Sequence, residues 1–276
     1  MPEKSKRKVQ SSPTPRGALA PAWLQGALAG LGLALVALEL ARPLRRHQRE
    51  AKARHLSRNA AIAGLAAATV QLLEQPVVRP LARLAERRGW GLLGRSGPSG
   101  PARTVLALLA LDYTLYLWHI LVHRVPALWR FHAVHHADLD LDASTAIRFH
   151  FGELALSVPW RAAQVVVIGV DARTLALWQT LTLMSVLFHH SNVRLPERLE
   201  SALGVVLVTP RMHGIHHSRE ADEMQANWSS GLSLWDRLHG TLRTDVPQEV
   251  IEIGVDGFDA PCEVRLAEMV RAPFLN

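Results

Sequence analysis

Histidines are numerous and grouped in this 276-residue chain, and their grouping points to metal chemistry. Fourteen are present, and eight fall into three motifs with helical spacing. Positions i, i+3 and i+4 lie on one face of a helix, so each motif can aim two or three imidazoles at one point. Neutral imidazole is the commonest protein metal ligand. The motifs are H-x-x-x-H at His119 and His123, H-x-x-H-H at His132, His135 and His136, and H-x-x-H-H at His213, His216 and His217.

The number of clustered histidines predicts two metal ions. A single zinc ion normally takes about four ligands, and eight imidazoles exceed that number. Spacing alone does not choose the metal, because imidazole binds zinc, iron, copper and nickel. His150 and His190 lie at the two ends of an apolar hairpin that would return them to the motifs, so we predict both as ligands and leave His189 open. We predict no metal at the histidines that lack a partner at ligand spacing, His47, His55 and His239.

Asp112 interrupts an apolar segment and shares a helix face with Tyr116 and the first histidine motif. An ionisable residue inside an apolar span indicates a functional role. We therefore predict Asp112 and Tyr116 as catalytic residues, with the Asp112 carboxylate accepting a hydrogen bond from a ligand imidazole. A salt bridge to a nearby arginine is the alternative. Glu153 and Asp138 are further candidates for the same supporting role.

Apolar stretches along the chain must position these side chains. Residues 18–38 carry no charge and can cross roughly 30 Å of hydrocarbon, which predicts a retained membrane helix, with a cleaved signal peptide as the alternative. Two further apolar stretches lie at 60–78 and 104–122. The shorter runs at 154–170 and 174–188 predict a tilted or re-entrant hairpin.

Composition favours a membrane protein over a soluble one. Hydrophobic residues make up 49% of the chain and charged residues 20%, below the quarter typical of soluble domains. The single cysteine, Cys262, excludes an intramolecular disulfide framework and a cysteine-rich zinc module. The net charge of +7 comes largely from basic residues that flank the first apolar run, which is typical of membrane flanks and not of a nucleic-acid surface. We place the 42–58 loop, with its seven Lys and Arg, and the histidine motifs together in the cytoplasm.

The ordered motifs resemble a known family. Five segments follow one another: DYTLYLWHILVHRVPALWRFHAVHHAD, TAIRFHFGE, LFHHSNVRLP, VTPRMHGIHHSRE and LSLWDRLHGT. Together they resemble the fatty acid hydroxylase/sterol desaturase superfamily of integral membrane non-haem di-iron enzymes, over roughly residues 58–243. By position, the three motifs match the three histidine boxes of that superfamily. His150 and His190 match lone histidines that supply further ligands in related sequences.

The resemblance implies an all-α integral membrane protein with a histidine-rich di-metal head at the cytoplasmic face. It implies O2-dependent hydroxylation or desaturation of a lipid in the bilayer, with two iron ions as cofactors and O2 as co-substrate. Electrons would come from a separate redox carrier and its reductase. The predicted divisions are a basic tail at 1–17, membrane helices and loops at 18–103, a catalytic domain at 104–243 and a C-terminal tail at 244–276.

Two other functions stay open at this stage. Oxidative cleavage of an ether lipid or hydroxylation of a carotenoid would use the same chemistry. A membrane protein that binds or moves metal ions would also need histidines, but here most of the clustered histidines lie just beyond the apolar stretches. The sequence does not predict the lipid, the carbon that is oxidised, the electron donor or the oligomeric state.

Overall fold

The computed structural model describes residues 22–46 and 49–275, and within these ranges the chain is all-α. It contains twelve α-helices there, and the only β structure in the described chain consists of three isolated bridges. The predicted fold class is therefore confirmed. The basic tail at 1–17, the start of the first apolar run and His47 lie outside the described residues.

Four helices of the described chain are long and apolar enough to cross a membrane. The longest runs from Lys52 to Arg88 and is made of α2 (Lys52–Thr69), a π-helical turn (Val70–Glu74) and α3 (Gln75–Arg88), so the apolar stretch 60–78 is only its middle. The other three are α1 (Ala22–Ala41), α4 (Gly100–Arg124) and α6 (Phe151–Ile168).

The predicted hairpin is present as α6 and α7 (Ala172–His190), and local sequence explains its turn. Gly169 ends α6 in the left-handed region, at φ 82°, where glycine carries no steric penalty. Asp171 then caps α7, because its carboxylate accepts hydrogen bonds from the backbone N–H groups of Arg173 and Thr174. The hairpin thus returns the chain to the end of the bundle from which it started.

Alanines let α3 pack closely on the two helices of the hairpin. Val78, Ala82 and Ala85 of α3 are buried in one apolar cluster with Leu111 of α4 and Trp178 of α7. Small side chains on helices allow their backbones to approach closely. This cluster joins the candidate membrane helices at the end of the bundle remote from the histidines.

Short helices build the head that carries the histidines. They are α5 (Pro126–His136), α8 (Glu197–Gly204), α9 (Pro210–His216), α10 (Ala221–Met224), α11 (Leu234–His239) and α12 (Leu266–Arg271). Segment 244–275 packs on this head, since Val264 and Met269 are buried against Ile62 and Val134. The loop between α1 and α2 also lies there, because the backbone N–H of Leu44 donates to the carbonyl oxygen of Asn192 at 2.9 Å.

Candidate metal centre

Nine buried histidines converge in two groups at the head end of the bundle. In each group, one nitrogen atom from every ring lies within 4.8 Å of the corresponding atoms of the others. Either group could hold a metal ion. The first group contains His119, His123, His132, His136 and His216, and the second contains His135, His190, His213 and His217.

The boxes are divided between the two groups in a regular way. In box two, His132 and His136 belong to the first group while His135 belongs to the second. In box three, the i and i+4 histidines again stay together, and the i+3 histidine, His216, turns to the first group. On the surface of a helix, the side chain at i+4 projects slightly to one side of position i. The side chain at i+3 projects to the opposite side. One H-x-x-H-H motif can therefore serve two adjacent sites.

The pair His119 and His216 fits a cation between its rings. Their Nε2 atoms are 3.1 Å apart, while the Nδ1 atoms lie 2.7 and 2.9 Å from the carbonyl oxygens of Trp228 and Ala226. A carbonyl oxygen only accepts, so both Nδ1 atoms carry the proton and both Nε2 atoms of the neutral rings present lone pairs. Two lone pairs cannot hydrogen-bond to each other. Nitrogens bound to one metal at about 2.1 Å, roughly at right angles, would lie about 3 Å apart.

The second group shows the same arrangement around His190. Its Nδ1 donates to the carbonyl oxygen of Val186 at 2.8 Å, so its Nε2 presents a lone pair. That atom lies 3.0 Å from Nε2 of His135 and 3.0 Å from Nε2 of His213. Nε2 of His217 lies 3.1 Å from Nε2 of His213. The predicted ligand from the hairpin is thus brought to the site.

Glu153 is the carboxylate that supports a clustered imidazole. It lies in the first turn of α6, and its Oε2 is 3.1 Å from Nδ1 of His132. Both side chains are buried, and Nε2 of His132 has no hydrogen-bond partner among the described residues. A carboxylate that accepts from Nδ1 fixes the tautomer and leaves Nε2 free for a metal.

Burial keeps the imidazoles of His136, His216 and His217 in the neutral form that binds metals. Burial lowers the pKa of His136 well below its usual range, and neighbouring rings lower it further. The pKa of His217 is lowered for the same reasons. Burial takes the pKa of His216 to about 3, although its hydrogen bond to the carbonyl oxygen of Ala226 acts in the opposite direction. The site therefore offers lone pairs at neutral pH.

Asp112 and Tyr116, the two predicted catalytic residues, contact residues outside the histidine groups. The Asp112 carboxylate accepts hydrogen bonds from Nε1 of Trp235 at 2.7 Å and from the backbone N–H of Leu232 at 3.1 Å. Within the described chain it accepts no hydrogen bond from a clustered histidine or an arginine, so it holds the start of α11 and the residues just before it against α4. The Tyr116 hydroxyl is 3.2 Å from Oγ1 of Thr241, and its ring stacks on His239. Neither residue belongs to the two histidine groups.

His150, which we predicted as a ligand, lies outside both histidine groups in the described chain. Its Nδ1 accepts the backbone N–H of Gly152 at 2.9 Å and caps α6, while Nε2 lies 3.3 Å from the carbonyl oxygen of Val270. The hairpin does return this end of α6 to the head, but the side chain is turned to segment 244–275. His189, which we left open, is buried beside His213 with ring centroids 4.0 Å apart, and lies outside both groups.

Box two is backed by a buried ionic network centred on Asp138. Burial alone would raise the pKa of Asp138, but Arg148 and His55 hold it far below its usual range. Its partners are thus cationic or donor groups and not clustered histidines, and His55 belongs to this network. The side chains that donate to the Asp138 carboxylate are His55, Arg58, Asn59 and Thr145, at 2.7 to 3.0 Å.

A cavity of about 760 Å³ leads from the histidines between α2, α4, α6 and α7. Its volume is within the range of roughly 300–1,000 Å³ for small-molecule sites. His119, His132 and His135 line one end, and apolar side chains such as Leu183 and Val186 line its length. This shape can bring an apolar chain to both histidine groups.

Comparisons with known proteins agree with this arrangement. The family model described as fatty acid hydroxylase matches residues 104–241, half of the chain. An ornithine lipid hydroxylase from Rhizobium tropici is 30% identical over 56% of this chain and 46% of its own length. Human alkylglycerol monooxygenase is 26% identical over 50% of this chain and 30% of its own. Mouse cholesterol 25-hydroxylase is 26% identical over 55% of this chain and 51% of its own.

The chain spans about half or less of the length of these relatives. No solved structure matches it.

Proposed function

The chain belongs to the fatty acid hydroxylase family, and we propose that it is a membrane-bound enzyme that uses O2 to oxidise a C–H bond of a lipid. The observation that carries this proposal is the apolar cavity that ends at both histidine groups. The relatives named above are hydroxylases and monooxygenases of ornithine lipid, alkylglycerol and cholesterol. Their names support a lipid substrate.

Two iron ions, one in each histidine group, are the proposed cofactors. Imidazole is a suitable ligand for iron, and iron ions held by the two histidine groups would supply, with O2 as the oxidant, the oxidising power that an unactivated C–H bond requires. In a hydroxylation, one oxygen atom enters the lipid and the other leaves as water, which consumes two electrons and two protons. A separate redox carrier and its reductase are proposed as the source of the electrons.

The chain's own residues position the lipid and keep the site dry. Phe149 lines the cavity and stacks on His135, with ring centroids 4.5 Å apart and planes 9° apart. Trp118 and Val122 of α4 line the same end of the cavity and are buried. These side chains exclude water from the reacting carbon, which suppresses side reactions. Glu153 holds the proton of His132 at Nδ1, so that Nε2 stays available as a ligand.

The proposed topology is multi-pass, with the histidine head in the cytoplasm. The four long apolar helices support the crossings. The loop between α1 and α2 lies at the head, where the backbone N–H of Arg49 donates to Asp140 at 2.9 Å. Seven Lys and Arg in residues 42–58 favour the cytoplasmic side under the positive-inside rule.

An untargeted mass comparison of membrane lipids tests the function. Cells that express the wild type in air are compared with cells that express His135→Ala at equal membrane abundance, both supplied with a ferredoxin or cytochrome donor system. A lipid that gains one oxygen, or loses two hydrogens, only with the wild type is the expected result. A cleaved ether lipid would identify ether lipids as the substrate class, and an oxidised carotenoid would identify carotenoids. Unchanged lipids with metal-loaded wild type would contradict the proposal.

A further inference from the structure

The end of the cavity remote from the histidines is lined by charged and amide side chains. They lie on candidate membrane-spanning helices and on α7, and ionisable residues in apolar helices are costly and mark functional sites. Their place at the end of an otherwise apolar cavity indicates a ligand with a polar end. We refer to them as the distal polar cluster: Glu74, Gln75 and Arg79 from the π-helical turn and α3, Arg161 from α6, and Gln179 from α7.

Helix geometry gives the distance between this cluster and the histidines. Arg161 follows Glu153, the partner of His132, by eight residues on α6, which is about 12 Å at 1.5 Å per residue. Gln179 precedes His190 by eleven residues on α7, which is about 16 Å. A ligand whose polar end contacts the cluster therefore presents to the histidines a carbon that is roughly 12–16 Å away from that end.

The acceptors of the cluster have unused hydrogen-bonding capacity. Gln75 is 8% exposed, and its Oε1 has no hydrogen-bond partner among the described residues. Glu74 is also 8% exposed and receives a long hydrogen bond, 3.4 Å, from Nε2 of Gln179. Buried acceptors without donors are unfavourable. Both side chains therefore call for a ligand that supplies N–H or O–H groups.

The guanidinium of Arg161 calls for the opposite kind of partner. It donates to Oε1 of Gln164 at 3.2 Å and lies over the ring of Trp178, 5.1 Å from the centroid. The carboxylates of Glu74 and Glu153 act on its charge through space, but neither forms a direct salt bridge with it in the described chain. The other N–H groups of the guanidinium can therefore donate to a carboxylate or phosphate.

The π-helical turn is an independent sign that this segment is functional. The N–H of Gln75 bonds to the carbonyl oxygen of Val70, five residues earlier, and Pro76 follows with no N–H to donate. Single π-helical turns inside α-helices occur frequently at functional sites. Here the turn ends at Glu74, at the cluster itself.

We propose that the distal polar cluster binds the zwitterionic headgroup of an amino-acid lipid. Its ammonium contacts Glu74 and Oε1 of Gln75, and its carboxylate contacts Arg161. Glu74 is buried and Arg161 is half-buried, so a headgroup that lacks the ammonium or the carboxylate would leave one of the two side chains without a direct ionic partner, which is unfavourable. The proposal rests on the proposed function and names its substrate class, and it places the oxidised carbon on an acyl chain roughly 12–16 Å from the headgroup.

Lipid retention by the detergent-solubilised full chain, measured by native mass spectrometry, tests the proposal. Three probes of equal chain length are compared: an N-acylornithine lipid, its carboxyl methyl ester, which lacks the anion, and its side-chain N-acetyl derivative, which lacks the cation. The wild type is expected to bind the zwitterion at least about tenfold more tightly than either derivative, since loss of a buried charge pair is costly. Equal binding of all three probes by the wild type would overturn the proposal.

Two variants assign the charges within the cluster. Arg161→Gln is expected to lose the preference over the methyl ester and keep the preference over the N-acetyl derivative. Glu74→Gln is expected to show the reverse pattern. Arg83→Gln and Glu86→Gln, which alter exposed residues of α3, are matched controls and should keep both preferences. If the Arg161→Gln and Glu74→Gln proteins both retain the two preferences, the assignment of the charges is contradicted.

The binding measurement needs neither O2 nor reductant, so it is separable from the proposed function. Selective binding with no oxidised product would leave the headgroup site standing and contradict the oxidase. Oxidation of a lipid with no selectivity among the probes would support the oxidase and contradict the headgroup site. Tandem mass spectrometry of the product gives a further check, because an oxygen atom on the headgroup would contradict the predicted distance.

Discussion

Nε2 of His190 lies 3.0 Å from Nε2 of His135, although 55 residues separate them in the chain. His135 belongs to box two on α5, whereas His190 ends the second arm of the hairpin. The contact therefore depends on the hairpin, which returns α7 to the head. It also makes the second histidine group a product of three separate segments, α5, α7 and the third box.

Substitution of one histidine in each group tests the two sites separately. His135→Ala removes a ring of the second group and His216→Ala a ring of the first. We expect each variant to insert into the membrane, to lose metal and to lose activity, because its neighbouring lone pairs no longer converge. Bound metal by elemental analysis and product by mass spectrometry measure the two effects. His239→Ala, which alters an exposed ring outside both groups, is the control and should be mild. Full activity in either box variant would refute the assignment.

Glu153→Gln tests the carboxylate that supports His132. An amide can accept from Nδ1 but carries no charge, so it fixes the tautomer less firmly and lowers the basicity of Nε2. We expect roughly a 10–100-fold loss of metal affinity or activity, as is typical for such partners. Titration with a competing chelator measures the affinity. Glu86→Gln, at an exposed carboxylate, serves as control. If metal affinity is unchanged, the hydrogen bond has no bearing on the ligand.

The spacing of the boxes indicated which histidines share a helix face, because that relationship is local. The structure brings all eight together with His190. The partners of Asp112 could not be read in this way, since Leu232 and Trp235 lie more than a hundred residues further along the chain. Periodicity reports the face on which a side chain lies, and it does not report which segment packs there.

His150 and Glu153 illustrate the same limit within a single helix end. Both residues lie at the head end of α6, where the predicted hairpin places His150, but one caps α6 while the other reaches His132. Position in sequence placed both at the correct end of the bundle. The direction of each side chain depends on the first turn of α6 and on contacts with segment 244–275, and the sequence pattern contains neither.

Asp112→Leu should destabilise the fold without removing a ligand. The substitution leaves the indole N–H of Trp235 and the backbone N–H of Leu232 without an acceptor, and because both groups are only half-buried each loss costs about 1 kcal/mol, the low end of the range for buried donors. Asp112→Asn keeps an acceptor oxygen and should cost less. Thermal unfolding in detergent ranks the three proteins, and elemental analysis measures their metal. Loss of metal at temperatures where the variant is folded would instead support the predicted contact with a ligand imidazole.

The metal-free protein should lose stability as the pH falls below 6.5. Burial lowers the pKa of His136, His216 and His217 in the folded state, to about 3 for His216, while the unfolded chain titrates near 6.5. Between these values the unfolded chain binds protons that the folded chain excludes, so the free energy of unfolding decreases with falling pH. The expected decrease is about 1.4 kcal/mol per histidine between pH 7.5 and 5.5. Thermal unfolding of chelator-treated protein at constant ionic strength measures this slope. The slope of the unfolding free energy against pH should be shallower for His216→Ala than for His239→Ala, whatever the absolute stability of each variant. A metal-free protein that is equally stable at pH 7.5 and pH 5.5 would contradict the burial of neutral rings.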